Sequence, residues 1–242
     1  MKIIDIPAAE AARLVPLLQE LHAIHAARQP ARHRADPPAG AIDEDVVDRA
    51  LADTDWHIHD LYSELAEEVT TVRTPIHRYV IDVNRDPAGI SLYPGQNTTT
   101  LVPLTDFDGL PVWREGQEPD EAEITRRREA YHAPYHAALA AELERVKAIH
   151  GFAILYDCHS IRGEIPFLFV GVLPDFNTGT NMGATCDPAI EELVVGHCAA
   201  AEGYTSVLNG RFKGGWTTRH YGRPAEGLHA IQMELAQSTY LT

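Results

Sequence analysis

The run Phe152-Ala-Ile-Leu-Tyr-Asp-Cys-His-Ser160 constrains this chain more than any other stretch. Its apolar part is too short and too rich in β-favouring residues for a lone core helix, so it predicts a buried strand. A long charged segment precedes it, from about Glu121 to His150, with Leu139, Leu143, Val146 and Ile149 on one helical face. A helix feeding a buried strand points to α/β layering. The strand ends abruptly in Asp157, Cys158, His159 and Ser160, and strand ends in α/β sheets are where ligand chemistry collects.

Other segments extend this pattern. Residues 8–28 carry Leu14, Leu17, Leu18, Leu21 and Ile24 at helical spacing, and 29–40 read as a Pro-rich, basic loop. A second helix is expected from about Asp43 to Val69, with a possible break near Thr54. Strands are expected at Tyr79–Asn84, Pro166–Gly171, Tyr204–Leu208 and Leu228–Leu235. Residues 86–118, with Pro and Gly throughout, predict a long functional loop. Residues 177–183 and the glycine-rich stretch 209–227 also read as loops. A helix over 187–201 opens on Asp187-Pro188, an N-cap followed by a proline that needs no N–H.

Composition removes several function classes. The net charge of −15 argues against a nucleic-acid partner, whose phosphates need clustered Lys and Arg. No apolar stretch approaches the ~20 residues of a membrane span, and the N-terminus lacks a signal-peptide pattern, so a cytoplasmic protein is expected. The three cysteines, Cys158, Cys186 and Cys198, fit no CxxC zinc or redox spacing and read as reduced thiols.

Five groupings could carry chemistry. Asp157-x-His159 offers an imidazole with a carboxylate close by, or simply a satisfied polar strand end. Asp53-Thr-Asp-Trp-His-Ile-His-Asp60 gathers metal-ligand types, or a solvated helix start. Arg78-Tyr-Val-Ile-Asp-Val-Asn-Arg85 ends in an amide and a guanidinium fork suited to carboxylates, or to a surface salt bridge. Asn209–Pro224 concentrates Arg211, Lys213, Arg219 and Arg223 in an acidic protein, a local reversal of sign that suits an anionic ligand. Glu234, in Gln232-Met-Glu234, could serve as a general base or face solvent from an edge strand. A Cys158–His159 dyad is disfavoured, because adjacent strand residues point to opposite faces.

The ordered set of these segments resembles the N-formylglutamate amidohydrolase family over roughly residues 36–242. The carrying motifs are Asp53-Thr-Asp-Trp-His, Arg78 through Arg85, Leu92-Tyr-Pro-Gly-Gln96 and Asp157-Cys-His-Ser-Ile-Arg162. Leu173 through Gly183, Asn209 through Pro224 and His229 through Gln237 complete the set. The resemblance implies an α/β fold with a mixed central sheet flanked by helices, zinc-carboxypeptidase-like. It implies hydrolysis of N-formyl-L-glutamate to formate and L-glutamate, late in histidine breakdown, with zinc or another divalent metal as cofactor. By the same resemblance, Asp55 and His159 are metal ligands, and Glu234 is the general base. Arg78 lies near the scissile carbonyl, and Asn84, Arg85 and Arg219 hold the carboxylates of a small acidic substrate.

The chain also departs from the family pattern. Proline stands at position 38 where a metal-binding His is expected, in Pro37-Pro38-Ala39-Gly40. Position 59 is His where an acid is usual, and Phe167 stands where Arg is expected. Residues 1–36 form an atypical helical segment and linker ahead of the 37–242 domain. Within them Leu17–Pro37 faintly resembles the first helix of an acetyltransferase, over too little chain to imply that activity. The alternative to a working hydrolase is a relative that binds an acidic metabolite or partner without turning it over.

Overall fold

The computed structural model describes residues 2–4 (as backbone), 53–63 and 69–241. The helix expected over 8–28, the loop 29–40 with Pro38, and most of the Asp43–Val69 helix lie outside these residues.

The core is built around two long strands, β3 (Ala153–Ile161) and β6 (Leu228–Ala236), that pair in parallel. β3 is flanked by β1 (Lys2–Ile4), and β1 by β2 (Thr70–Thr71), both antiparallel. On the other side, β4 (Phe176–Gly179) pairs antiparallel with β6 and parallel with β5 (Ser206–Leu208). The order β2-β1-β3-β6-β4-β5 makes one mixed sheet.

Both faces of the sheet are covered, which is why β3 and β6 read as continuous apolar runs. Below the sheet, Leu139, Leu143 and Val146 of the long helix pack on Ala153, Leu155, Leu228 and Ala230. Above it, Val194 and Cys198 pack on Tyr156, Cys158, Phe176, Ile231, Met233 and Leu235. The fold is therefore α/β with a mixed central sheet between helices.

The long helix runs as α2 (Glu121–Arg127), a π-helical turn (Arg128–His132) and α3 (Ala133–His150). Its start is capped by Asp120, which accepts from the Glu123 N–H at 2.8 Å, and it stops at Gly151, whose φ of 82° continues no right-handed helix. α4 (Pro188–Ala200) begins as its sequence predicts, with Asp187 accepting from the Ala189 N–H at 2.8 Å.

Several expectations are corrected. The helix expected to reach Val69 survives within 53–63 only as α1 (Ile58–Leu61), because His57 adopts a left-handed φ of 52° and Asp53 turns inward. Tyr79–Asn84 is a docked, non-helical segment rather than a strand. Its carbonyls bond to helix side chains: Arg127 donates to Val80 O, and His136 Nε2 lies 2.8 Å from Val83 O. Pro166–Gly171 is a turn in which Leu168 N and Phe169 N donate to Ile165 O. Part of the expected 177–183 loop is strand β4, and the 209–227 stretch contains α5 (Trp216–Tyr221). Residues 86–118 form the expected long loop, without helix or strand.

Candidate active site

The parallel register sets His159 beside Glu234 and Asp157 beside Gln232. Side chains alternate along a strand, so these four share one face. Cys158 and Met233 point to the other face, into the apolar core. That geometry separates Cys158 from His159 as reacting partners. Burial pushes the Glu234 carboxyl up, neighbouring Asp55 pushes it further, and His159 and Arg78 oppose them; it settles at about 7. Gln232 Nε2 donates to Glu234 at 2.8 Å and orients its carboxyl.

His159 sits between two carboxylates. Its Nε2 lies 2.9 Å from Asp157 Oδ1, and its Nδ1 lies 3.4 Å from Asp55 Oδ1. Burial disfavours a charged imidazole, but Asp157 and Asp55 outweigh it and raise the pKa well above the ordinary value. Asp55 also accepts from Ser160 N at 2.8 Å and Arg78 NH2 at 3.1 Å. Burial opposes its ionisation, yet His159, Arg78 and the Ser160 N–H hold it below the carboxylate range.

The remaining members of the 53–60 cluster serve other ends. Asp53 is buried and accepts from Tyr79 OH at 2.7 Å and Phe107 N at 2.8 Å. His57 and His59 face Asp60 at 3.4 and 3.5 Å near the surface. Only Asp55 reaches His159.

The 78–85 segment forms the rim. Buried Asp82 lies 3.5 Å from Arg78 and 3.6 Å from Arg85, and accepts from Asn84 N at 2.9 Å. Asn84 accepts from Thr217 N at 3.0 Å, which turns its Nδ2 to within 3.2 Å of His159 Nε2. The α2–α3 helix holds this segment from behind. His132 Nε2 lies 3.0 Å from Arg85 O, so two histidine rings clamp the carbonyls on either side of Asn84. A π-helical turn over Arg128–His132 ends at the first of these rings, a feature that often marks functional positions. Sequence reasoning missed both histidines, although their i, i+4 spacing on the inner side of a charged helix is a visible signal.

Glycine lets the glycine-rich segment approach this rim. A Cβ on Gly215 would stand 2.5 Å from both the Asn84 amide nitrogen and oxygen. Gly215 N donates instead to Gln232 Oε1 at 2.5 Å.

These parts line a cleft with a cavity of about 150 Å³. His159, Gln232 and Glu234 line it together with Arg78, Asn84, Arg85 and Arg211, between apolar walls from Tyr93, Leu101, Phe107, Leu168 and Phe212. A space of this size suits a small metabolite. Of the predicted residues, the structure brings Arg78, Asn84, Arg85, His159 and Glu234 to the cleft, with Asp55 behind His159. Arg219 stands apart: it donates to Gly214 O and Tyr93 OH, with its guanidinium 5.1 Å from the Tyr93 ring centre.

The Asp55–His159 pair fits a divalent ion. A metal-ligating histidine commonly turns its other nitrogen to a carboxylate, as His159 turns Nε2 to Asp157. Two ligands ~2.1 Å from one tetrahedral ion lie about 3.4 Å apart, and the Asp55 Oδ1–His159 Nδ1 distance is 3.4 Å. Among the described residues no group of three His, Cys, Asp or Glu forms a fuller ligand set.

A model of the N-formylglutamate amidohydrolase family matches residues 16–241. An N-formylglutamate deformylase of Pseudomonas aeruginosa is 52% identical over 205 residues, 83% of this chain and 76% of the relative. One from Pseudomonas putida is 51% identical over 195 residues, 80% and 72% of the two chains. The crystal structure of an N-formylglutamate amidohydrolase from Ralstonia eutropha superposes with a TM-score of 0.67 at 27% identity, covering 84% of this chain and 78% of that one. The chain belongs to the N-formylglutamate amidohydrolase family.

Proposed function

We propose that this member of the N-formylglutamate amidohydrolase family hydrolyses N-formyl-L-glutamate to formate and L-glutamate, late in histidine breakdown. The observation that carries the reading is the pairing of His159 and Glu234 on adjacent strands in a cleft rimmed by Arg78, Asn84 and Arg85. The fold belongs, on this reading, with the zinc-carboxypeptidase-like group.

Asp55 and His159 would hold a divalent ion, zinc by the chemistry of an imidazole and a carboxylate. When bound, the metal supplies Lewis acidity and a water acidic enough to attack an amide near neutral pH. Glu234, beside His159 and oriented by Gln232, takes a proton from the attacking water and returns it to the departing amine. Arg78, fixed by Asp55 and Asp82, faces the charge that gathers on the carbonyl oxygen as water adds to the formyl carbon. Asn84 and Arg85 orient the α-carboxylate.

Formate release from N-formyl-L-glutamate by the zinc-supplemented protein tests the proposal. Glu234→Gln should lower kcat by about 10³-fold, with the fold preserved by circular dichroism. A wild-type protein that releases no formate, or a Glu234→Gln variant within about threefold of wild type, would refute it.

A further inference from the structure

The arginines around the cleft differ in what they are left free to do. Arg85 is held largely by the protein, beside Asp82: Nε donates to Thr99 O, NH2 to Thr99 Oγ1 and NH1 to Asn84 O, at 2.9, 2.8 and 3.1 Å, which uses three of its five N–H donors and leaves two for a ligand. Arg78 lies between Asp55 and Asp82, at 3.1 and 3.5 Å. Arg219 supports Tyr93 and Gly214 and does not line the cavity.

Arg211 lines the cavity and is half-buried. Its Nε and NH2 reach only the Leu168 carbonyl, at 3.4 and 3.2 Å, long for hydrogen bonds from a cation. Among the described residues NH1 has no acceptor, and no carboxylate stands within ion-pair distance of the guanidinium. The group lies 5.7 Å from the Tyr93 ring centre and 5.5 Å from that of Phe212. Burial and nearby Arg85 both lower its pKa, as suits a cation whose counter-charge is missing. In a chain of net charge −15, this cleft keeps one guanidinium without a carboxylate among the described residues. A partly desolvated cation gains most from a ligand that brings the opposite charge into its apolar surroundings.

We infer that Arg211 is the specificity-determining residue of the cleft: it pairs with the side-chain carboxylate of an N-acyl dicarboxylic amino acid, while Asn84 and Arg85 take the α-carboxylate. This rests on the hydrolase reading above and moves the second carboxylate from Arg219 to Arg211. Tyr93, Leu168 and Phe212 flank the methylenes between the two carboxylates. Arg219 acts through Tyr93 and is a positioning residue.

The test compares formate release from N-formyl-L-glutamate and its neutral isostere N-formyl-L-glutamine. Arg211→Met should lower kcat/KM for the acid by about 10- to 150-fold, the range of one charged hydrogen bond, and change the amide by less than about threefold. Arg211→Lys should fall between wild type and Arg211→Met for the acid. Equal losses on both substrates, or an undiminished preference for the acid in Arg211→Met, would overturn the inference. Calorimetric binding of glutarate and its monoamide, glutaramate, to wild type and Arg211→Met decides the point without turnover. Wild type should favour glutarate by about tenfold or more and the variant should not, whereas equal affinities in wild type would overturn it. A wild type inactive on both formyl substrates would instead refute the hydrolase reading, and the binding pair would still judge Arg211.

Discussion

Acidification should unfold this protein partly through His136. The ring is buried, 8% exposed, with Nε2 2.8 Å from Val83 O and Nδ1 3.1 Å from Tyr221 OH. With Nε2 donating to the carbonyl, Nδ1 of the neutral ring carries no proton; the Tyr221 hydroxyl beside it donates to His136 O at 3.1 Å. Burial disfavours a second proton, nearby His132 and His220 disfavour it further, and the Val83 carbonyl and Asp157 only partly compensate, so the pKa falls to about 4. An unfolded histidine titrates near ~6.5. Above that pH the ring is neutral in both states and costs nothing. Between about 6.5 and 4 the unfolded chain binds a proton that the folded one refuses, so stability falls with pH by up to about 1.4 kcal/mol per unit. The full loss, about 3 kcal/mol, is reached below the folded pKa. Urea unfolding of wild type and His136→Gln at pH steps from 7.5 to 4.5 measures this. Carboxylates such as Asp82 and Asp157, whose pKa values are lowered in the fold, titrate in both proteins and largely cancel. The stability advantage of wild type over the variant should shrink by about 2 kcal/mol between pH 6 and pH 4.5. Parallel pH profiles would refute the reasoning.

Two further outcomes are expected. Gly215→Ala places a methyl 2.5 Å from the Asn84 amide and must push it from His159, so kcat/KM for N-formyl-L-glutamate should fall at least about tenfold. Unchanged kinetics would show that Asn84 need not stand there. Leu143→Ala empties a fully packed position between α3 and the sheet, remote from the cleft. It should cost about 2–5 kcal/mol in chemical denaturation while leaving kcat/KM of the folded fraction within about twofold.

The sequence by itself determined the parts whose causes are local. β3 followed from an apolar run of strand length, the long helix from its i, i+3, i+4 apolar positions, and the α4 start from Asp187-Pro188. The same locality made Asp157 and His159 visible as partners, since residues two apart on a strand share a face, and it set Cys158 aside. Tyr79–Asn84 has the look of a strand, but Arg127 and His136, more than 40 residues away in sequence, take its carbonyls out of any ladder. β4 was hidden because its polar Asn177 is buried beside Glu234, where its Nδ2 donates to Glu234 O at 3.2 Å. Within Asp53–Asp60, composition could not separate Asp53, which holds Tyr79 and Phe107, from Asp55, which meets His159. Only tertiary structure tells Arg211, which lines the cavity, from Arg219, which does not, because both lie in one glycine-rich stretch with the same charge. What distinguishes them is which guanidinium the fold spends on its own carbonyls and hydroxyls, and which it leaves facing the cleft.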